Sequence, residues 1–466
     1  MITSGDFPDR RDPAQRERDG TAATAQSAAL ERANTDQQTS ADAVSQLLAK
    51  RQAVTSDPAP IQVDVLQRPG AGAGGGAGSV LVAHGQLLLL VSEDPPSPAA
   101  HAAAGPPGGN LSPTQQASAL LGQLNYTTPV QTFVRGVGLP LQVFTNDAQD
   151  AAGLLKDLND VRTQTGADLD LNYVCTTGHT VKGEDYPVGT AGLTWVQPNQ
   201  TLPPVTVAVI DTGINRELRT DGWLASIAED SDNEDPLDVI PGNGVLDDSG
   251  GHGTFVSGIV QQIAPQATVK VYRAVDSDGM GPVDAIGAAI VQAAEAGANI
   301  INLSLGTPTV DDNPPLAFTT ALQELSARYP DVLVVASAGN NGDDTLMFPA
   351  AMQGVTGVGA LNPDLTAASW SSRGYWVECS AVGVGVTSTF VEGTEQHDDG
   401  TGSQQFGPNA WAVWSGTSFS AAQITGAVAQ LCQTGSVSPA DALAQLLGGK
   451  QTLDGFGYLV QLLPGS

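Results

Sequence analysis

The sequence predicts an α/β fold in which a doubly wound, mostly parallel sheet carries helices on both faces. Four near-continuous apolar runs are typical of strands that are covered on both sides. They lie at residues 205–210, 268–275, 299–305 and 332–336. Helix-like stretches alternate with them, at residues 253–263, 284–296 and 315–329. Because strand alternating with helix favours parallel pairing, functional residues are expected beyond the carboxyl ends of the strands.

Three further segments precede this large domain, which is predicted over residues 205–466. Residues 1–78 have little periodic apolar content and end in a glycine-rich stretch, so they are predicted to be disordered apart from a helix around residues 41–51. Residues 79–177 alternate strand-like and helix-like runs in the order β-α-β-α-β, which predicts a small α+β domain of the ferredoxin-like type. Residues 178–204 are rich in Pro and Gly at their two ends and are predicted as a linker.

The charge balance excludes some classes of partner. The 466 residues include 49 Asp or Glu and 19 Lys or Arg, which gives a formal net charge of −30. Such a surface repels phosphate backbones and anionic lipids, so neither nucleic acid nor a membrane is expected as a partner. No secretory signal is recognised, which favours a cytoplasmic location, although secretion by another route stays open. The three cysteines are widely spaced and are predicted as buried apolar groups.

Three polar residues stand next to predicted elements of the large domain. Asp211 directly follows a predicted strand, and His252 and Ser418 each open a predicted helix. Taken singly, each has a common structural explanation as a turn residue or a helix cap. Taken together, they supply what acyl transfer needs. A serine hydroxyl is a weak nucleophile until an imidazole removes its proton, and a carboxylate must orient that imidazole.

Asn340 adds a fourth element to this set. It lies in a Gly-Asn-Asn-Gly loop that follows the predicted strand at 332–336, and a simple turn residue is the alternative interpretation. A side-chain amide at the carboxyl end of a strand can donate a hydrogen bond to the oxyanion of a tetrahedral intermediate. The sequence therefore predicts an oxyanion hole beside the three other residues.

The motifs around these residues resemble those of the subtilisin-like serine peptidases, the subtilases. The resemblance rests on DTGI at Asp211, GHGTFVSG around His252, SAGNNG around Asn340 and GTSFSAAQITG around Ser418. The order Asp, His, Asn, Ser along the chain is also that of the family. The resemblance covers about residues 205–435, which is roughly half of the chain.

The resemblance implies a serine endopeptidase that works through an acyl-enzyme intermediate. Ser418 would be the nucleophile, His252 the general base and then the general acid, and Asp211 the group that orients His252. Asn340 and the backbone N–H of Ser418 would bind the oxyanion. No cofactor is required, and no metal ligands are assigned.

The resemblance also implies that the substrate backbone adds as a strand between two edges of the fold. One edge contains Gly279 and Gly281, and the other contains Ser304, Leu305 and Gly306. Glycine at such edges permits close approach of two backbones.

Two further positions would shape the pocket for the residue before the scissile bond. Gly339 would wall this pocket, and Met347 would lie near its floor and favour small or medium apolar side chains. A core methionine is an equally good interpretation of Met347. Phe255 and Phe419 stand where the family commonly has other residues, so packing around the site is expected to differ.

Two segments outside these motifs call for an interpretation. Residues 229–238 hold six carboxylates. A solvated acidic loop is the favoured interpretation and a calcium site is the alternative. The small domain at 79–177 stands where subtilases carry an inhibitory pro-domain, which implies an intramolecular inhibitor and self-cleavage within about residues 175–200. A permanent partner-binding or regulatory module is the rival interpretation.

Two hypotheses for the whole chain follow. The first is an active serine endopeptidase that acts on proteins or peptides and is latent until its N-terminal domain is removed. The second is a catalytically idle subtilase fold that serves as a peptide-binding module or scaffold. Idle relatives usually lack a triad member, whereas all four residues are present in this sequence, so the first hypothesis is favoured.

Overall fold

The structure is a computed structural model of the chain. It describes residues 48–51, 54, 60–68, 79–91, 111–128, 139–178, 186–196, 198, 201–215, 219–225, 227, 231–396 and 402–463. Every site residue predicted from the sequence lies within these ranges.

Helices and strands alternate through most of the described residues. The α-helices are α1 (Pro113–Gln123), α2 (Ala151–Thr165), α3 (His252–Ile263), α4 (Val283–Glu295), α5 (Leu316–Arg328), α6 (Thr417–Gly435) and α7 (Pro439–Leu447). The strands are β1 (Val63–Gln67), β2 (Ser79–Leu90), β3 (Leu141–Thr145), β4 (Leu169–Thr176), β5 (Val188–Gly189), β6 (Thr206–Asp211), β7 (Thr268–Arg273), β8 (Met280–Pro282), β9 (Ile300–Leu303), β10 (Leu333–Ser337), β11 (Val355–Leu361), β12 (Val377–Val382), β13 (Val386–Thr389), β14 (Gly393–Gln396), β15 (Ser403–Phe406), β16 (Trp411–Trp414), β17 (Thr452–Leu453) and β18 (Gly457–Val460).

The large sheet has eight strands in the order β17-β18-β12-β11-β10-β9-β6-β7. Its pairings are parallel apart from the antiparallel pair of β17 and β18. The predicted α/β sheet is therefore confirmed. The chain passes from β6 to β7 on one side and later to β9 and β10 on the other, so the strand order reverses at β6. A crevice that can hold a ligand is expected at such a reversal.

Helices cover both faces of this sheet. Alternate residues of β6 point to opposite faces, as in any strand. Ala208 and Ile210 belong to an apolar cluster with residues of α4 and α5, whereas Val207 and Val209 belong to a second cluster with residues of α3 and α6. Both clusters consist of buried side chains, so the sheet is the middle of three layers.

The N-terminal unit is built around β2. This strand pairs antiparallel with β1, β3 and β4, and α1 and α2 supply buried leucines to the same apolar cluster that includes α4 and α5. β4 also pairs antiparallel with β8 of the large domain. One sheet therefore continues from the N-terminal unit into the large domain.

Two predictions for the segments outside the domains need correction. The segment 1–78, predicted to be disordered apart from a helix around residues 41–51, contains strand β1. A helical stretch at 48–51 falls within the predicted helix, whose residues 41–47 lie outside the described residues. β1 is short and has only one buried residue, Leu66, so its own pattern is weak and its stability comes from pairing with β2. The predicted linker 178–204 contains β5, which pairs with β16.

Two other expectations concern helices and cysteines. No helix among the described residues is both long and apolar enough to span a membrane. Cys175, Cys379 and Cys432 are buried and free, as predicted, and burial raises the pKa of each thiol.

Candidate active site

The sheet and one helix bring a carboxylate and an imidazole together. Asp211 is the last residue of β6 and His252 is the first residue of α3, and both side chains are buried. His252 Nδ1 lies 2.7 Å from Asp211 Oδ1. The same oxygen accepts a hydrogen bond of 2.8 Å from the Thr212 N–H. A carboxylate in this position favours the tautomer with the proton on Nδ1, which leaves Nε2 as an acceptor.

Asp235 connects the end of β6 to the start of α3 through hydrogen bonds. Its carboxylate accepts hydrogen bonds from the Thr212 hydroxyl at 2.8 Å and from the Gly251 N–H at 2.9 Å. Thr212 follows Asp211 and Gly251 precedes His252, so this single side chain fixes both chain segments. Burial raises the pKa of Asp235 to about 6, although these hydrogen bonds lower it.

The approach of α3 to β6 depends on a glycine. A Cβ at Gly253 would lie 2.1 Å from the carbonyl oxygen of Gly213. Because the Gly213 oxygen belongs to the backbone, a Cβ at this distance could fit only if α3 moved away from β6. Such a movement would separate His252 from Asp211.

Gly253→Ala is therefore expected to lower the free energy of unfolding by about 1–3 kcal/mol, the usual cost of overpacking. The measurement is urea unfolding of the variant in a Ser418→Ala background, which avoids self-digestion. Gly407→Ala is the matched control, because a Cβ there meets no atom within 4 Å. Equal unfolding midpoints for the two variants would contradict the assigned role of Gly253.

Ser418 lies in the first turn of α6, beside an aromatic cluster. The rings of Trp414 and Phe419 each lie 5.5 Å from the His252 ring, measured between centroids. Phe255 and Phe419 pack at 4.5 Å, so the two residues that depart from the family pattern contact each other behind the imidazole. These rings keep the Asp211–His252 pair in an environment with little water, where electrostatic interactions are strong.

Asn340 is held at the start of the same helix. Its Oδ1 accepts hydrogen bonds from the Thr417 N–H at 3.0 Å and from the Thr417 hydroxyl at 2.8 Å. The Thr417 hydroxyl in turn accepts from the Gly339 N–H at 3.2 Å. Because both bonds fix the amide oxygen, the amide nitrogen is free to point into the cleft.

Strand β4 occupies the cleft between the two edges predicted to bind substrate. It pairs antiparallel with β8, with Cys175 opposite Gly281 and Thr176 opposite Met280. On its other side, Thr176 exchanges two backbone hydrogen bonds of 2.9 Å with Gly306. The cleft therefore holds an extended segment of the chain itself.

The end of this segment reaches the serine. The Thr177 N–H donates to the Gly279 carbonyl at 3.1 Å, and the Thr177 carbonyl oxygen lies 3.3 Å from Ser418 Oγ. The carbonyl oxygen of Ser304 lies at the same distance, 3.3 Å, from Ser418 Oγ. Among the described residues, these two carbonyls are the acceptors for the Ser418 hydroxyl, and no hydrogen bond joins this hydroxyl to His252.

Gly178 follows next to the amide of Asn340. Its φ is +91°, and a Cβ there would lie 2.2 Å from Asn340 Nδ2, so this position requires glycine. Gly178 also borders a cavity of about 20 Å³ whose lining includes Gly339 and Met347. A cavity of this size holds about one water molecule, and a pocket for the residue before the scissile bond at this place stays a prediction. Leu305 is buried and belongs to the same apolar cluster as Cys175 of the cleft strand.

A buried chain of hydrogen bonds joins β9 to the serine helix. The Ser304 hydroxyl donates to the Ser418 carbonyl at 3.0 Å and accepts from Asn302 Nδ2 at 2.9 Å. The Thr425 hydroxyl donates to Asn302 Oδ1 at 2.9 Å. This chain anchors one substrate-binding edge directly to α6.

Several of these positioning residues were missed in the sequence. Asn302 lies within an apolar strand, where a fully polar side chain is a signal of a buried partner. Thr417 reads as an ordinary helix start, and Asp235 as one of many acids in its loop. Thr177 gives no local sign that it lies next to Ser418, because that contact is made across 241 residues.

The acidic loop at 229–238 agrees only in part with the solvated loop that is expected: Asp232 is exposed, whereas Asp235 is buried. Asp235 and Asp247 are buried and accept hydrogen bonds from backbone N–H groups, the latter from Val239 and Ile240. These donors, rather than solvent, offset the negative charges. Among the described residues, no group of three or more His, Cys, Asp or Glu side chains is arranged to hold a metal ion, and calcium binding stays a prediction.

Comparison with known proteins identifies the family. The model of the subtilase family matches residues 204–451. A thermophilic serine proteinase of Bacillus sp. (strain AK1) is 33% identical over 243 residues, which is 49% of this chain and 52% of that protein. Subtilisin DY of Bacillus licheniformis is 32% identical over 214 residues, 42% of this chain and 71% of that protein. The crystal structure of a lanthipeptide protease aligns with a TM-score of 0.43 and 23% identity, over 55% of this chain and 85% of that chain.

The structure places a serine, an imidazole and a carboxylate near the carboxyl ends of the sheet strands, and these are the groups that serine peptidases use in acyl transfer. The chain belongs to the subtilase family, since the family model covers more than half of it. It spans about half the length of the thermophilic proteinase.

Proposed function

We propose that the chain hydrolyses peptide bonds with Ser418 as nucleophile, His252 as general base and acid, and Asp211 as the residue that orients His252. Asn340 Nδ2 and the Ser418 N–H would bind the oxyanion. The observation that carries the proposal is the extended strand of the chain itself that passes Ser418, with a carbonyl oxygen 3.3 Å from Oγ. This is the arrangement that a peptide substrate needs.

The reaction follows from these groups. The Ser418 hydroxyl turns from the carbonyls to His252 Nε2, which takes its proton as Oγ bonds to the carbonyl carbon. The carbonyl electron pair moves to the oxygen, where the two N–H donors stabilise the charge. Collapse of this intermediate breaks the C–N bond, and the leaving amine takes the proton from His252. Water then attacks the acyl-enzyme by the same route and frees Ser418. These steps use side chains and water alone, so no cofactor is required.

Substrates would bind as β4 does. An extended peptide can replace β4 between the edge at Gly279 and Gly281 and the edge at Ser304 and Gly306, with backbone hydrogen bonds on both sides. Backbone recognition of this kind accepts many sequences, which suits a protein or peptide substrate.

We further propose that the N-terminal unit is an intramolecular inhibitor, as subtilase pro-domains are. It fills the cleft with its own strand and buries Thr177 against the nucleophile. The backbone hydrogen bonds of β4 alternate between the two edges of the cleft, and this alternation supports a position for the cleaved peptide bond. Thr176 bonds to Gly306 and Thr177 to Gly279, so Gly178 comes next on the side of Ser304, beside Asn340. Self-cleavage is therefore expected at one of the two peptide bonds of Gly178.

Processing tests both parts of this proposal. Purified wild-type chain, incubated and followed by SDS-PAGE and intact-mass spectrometry, is expected to give a product that begins at residue 178 or 179. The Ser418→Ala chain is the matched control and is expected to stay full length. A wild-type chain that stays full length while it digests added casein would contradict the inhibitor role. A chain that neither processes itself nor digests casein would favour the idle scaffold instead.

A further inference from the structure

A loop with several carboxylates borders the cleft next to the substrate-binding edge. Asp278 directly precedes Gly279 and Asp276 lies two residues before Asp278, while Asp248 precedes Ser249 on a neighbouring loop. The Ser249 N–H donates to the carbonyl of Ser277 at 2.8 Å, which holds the two loops together.

A guanidinium group from a remote segment is bound to this loop. Arg51 Nη2 lies 2.7 Å from Asp276 Oδ2, and Arg51 Nη1 lies 3.0 Å from Asp278 Oδ2. The Arg51 side chain is only 4% exposed. Lys50 adds a second cation at 3.3 Å from Asp248. The loop therefore binds a basic side chain that the segment N-terminal to β1 supplies.

The geometry of the carboxylates suits a guanidinium rather than a metal ion. One oxygen of Asp276 accepts the N–H groups of Asp278 and Met280, and its other oxygen faces Arg51. Two carboxylates thus meet two different terminal nitrogens of one planar group, which is the recognition that arginine favours. None of the described carboxylates forms a set of three that could hold a metal.

The same loop lies next to the side chain of Thr177, which stands where a substrate side chain would bind. Thr177 bonds through its N–H to Gly279, and its hydroxyl lies 2.8 Å from the Ser249 hydroxyl. Ser249 is adjacent in sequence to Asp248, and Gly279 to Asp278. A longer side chain in the place of Thr177 would therefore lie next to the two loops that carry these carboxylates.

The carboxylates lack compensation once the N-terminal unit leaves. Burial, and then the charges of Asp248 and Asp276, raise the pKa of Asp278 to about 8, while Arg51 lowers it. Removal of Arg51 and Lys50 takes away the cations and leaves the repulsion between acids. A basic side chain of the substrate would again offset the negative charges of these carboxylates.

We propose that Asp276 and Asp278, with Asp248 beside them, form a subsite of the freed protease for a basic side chain on the N-terminal side of the scissile bond, at the place of Thr177. Arg51 occupies this subsite in the latent chain. The inference rests on the proposed peptidase function and adds a substrate class to it, namely peptides with Arg, and less strongly Lys, at that position.

The test compares two quenched fluorogenic peptides based on residues 173–181. Both carry Ser in place of Cys175, and they differ only at the place of Thr177, with Arg in one and its neutral isostere citrulline in the other. Wild-type full-length chain is incubated until its activity is constant and then assayed with each peptide. The kcat/KM for the Arg peptide is expected to be at least about tenfold higher, since hydrogen bonds to charged groups carry this much binding free energy. High salt is expected to reduce the ratio.

Variants separate the subsite from general effects. Asp276→Asn combined with Asp278→Asn is expected to bring the Arg to citrulline ratio to within about twofold of unity while the citrulline peptide is still cleaved. Asp331→Asn, which removes one exposed carboxylate, is the matched control and is expected to keep the wild-type ratio. If the double variant does not fold, the Arg to citrulline ratio of the wild-type chain still tests the proposal by itself.

Each outcome is decisive. Equal kcat/KM values for the two peptides in a chain that digests casein would overturn the subsite and leave the peptidase intact. A preference for Arg that survives the double substitution would assign it to other residues. Failure to cleave either peptide or casein would overturn the peptidase function, and the subsite with it.

Discussion

Ser418→Ala is expected to reduce kcat/KM for peptide hydrolysis by about 10⁶-fold, the size of loss known for subtilisin itself. In the proposed reaction, Ser418 Oγ is the protein atom that forms a covalent bond to the substrate. Its removal leaves the oxyanion donors and the two substrate-binding edges in place. The measurement is hydrolysis of a fluorogenic peptide, together with labelling by a fluorophosphonate probe that reacts only with an activated serine.

The control for this variant is structural. The Ser418 hydroxyl makes two long hydrogen bonds of 3.3 Å, so its loss should change the thermal midpoint little. Ser436→Ala, at the far end of the same helix, is expected to keep both activity and labelling. Probe labelling of the Ser418→Ala chain at the wild-type level would place the nucleophile elsewhere.

Asp211→Asn is expected to reduce kcat by about 10⁴-fold, the size known for this change in serine proteases of another fold. Asparagine keeps the shape of the side chain but removes the charge that stabilises the imidazolium. If its NH₂ group faces Nδ1, it also fixes the tautomer with the proton on Nε2, and this tautomer cannot accept the proton of Ser418. Steady-state kinetics should show a loss in kcat with little change in KM.

A matched loss of charge far from the site separates chemistry from net charge. Asp364 is an exposed turn residue, and Asp364→Asn is expected to leave kcat unchanged. Activity of Asp211→Asn within about tenfold of wild type would argue that another group orients His252.

The sheet, and the places of the proposed reacting residues at the ends of its elements, were predictable because their signals are local. Apolar runs such as the one at β6 mark buried strands without reference to the rest of the chain. Asp211, His252 and Ser418 each sit at the end or start of an element, and the family motifs identify them together. The position of Asn340 followed in the same way from the strand before it.

Other parts of the fold depend on contacts that no local pattern reveals. β1 is a strand because β2 lies beside it, and β11 is interrupted by two glycines in VTGVGAL, so neither stands out as a strand in sequence. Thr177 lies against Ser418 only because the N-terminal unit docks in one register.

The acidic loop shows a different limit of sequence interpretation. Charge density alone suggested solvent exposure, yet Asp235 and Asp247 are 1% and 4% exposed. Each is surrounded by N–H donors that are contributed by the shape of the backbone. Composition counts the charges but does not show the donors that offset them.

Because Cys175 is buried, the reactivity of its thiol can report whether the N-terminal unit has left the cleft. Its side chain is fully buried in the apolar cluster that joins the N-terminal unit to α4 and α5, and burial keeps its pKa well above the usual range. Departure of the N-terminal unit would divide this cluster and expose the sulfur to alkylating reagents. Maleimide uptake at this one position would then register each opened molecule, even for a variant that cuts nothing.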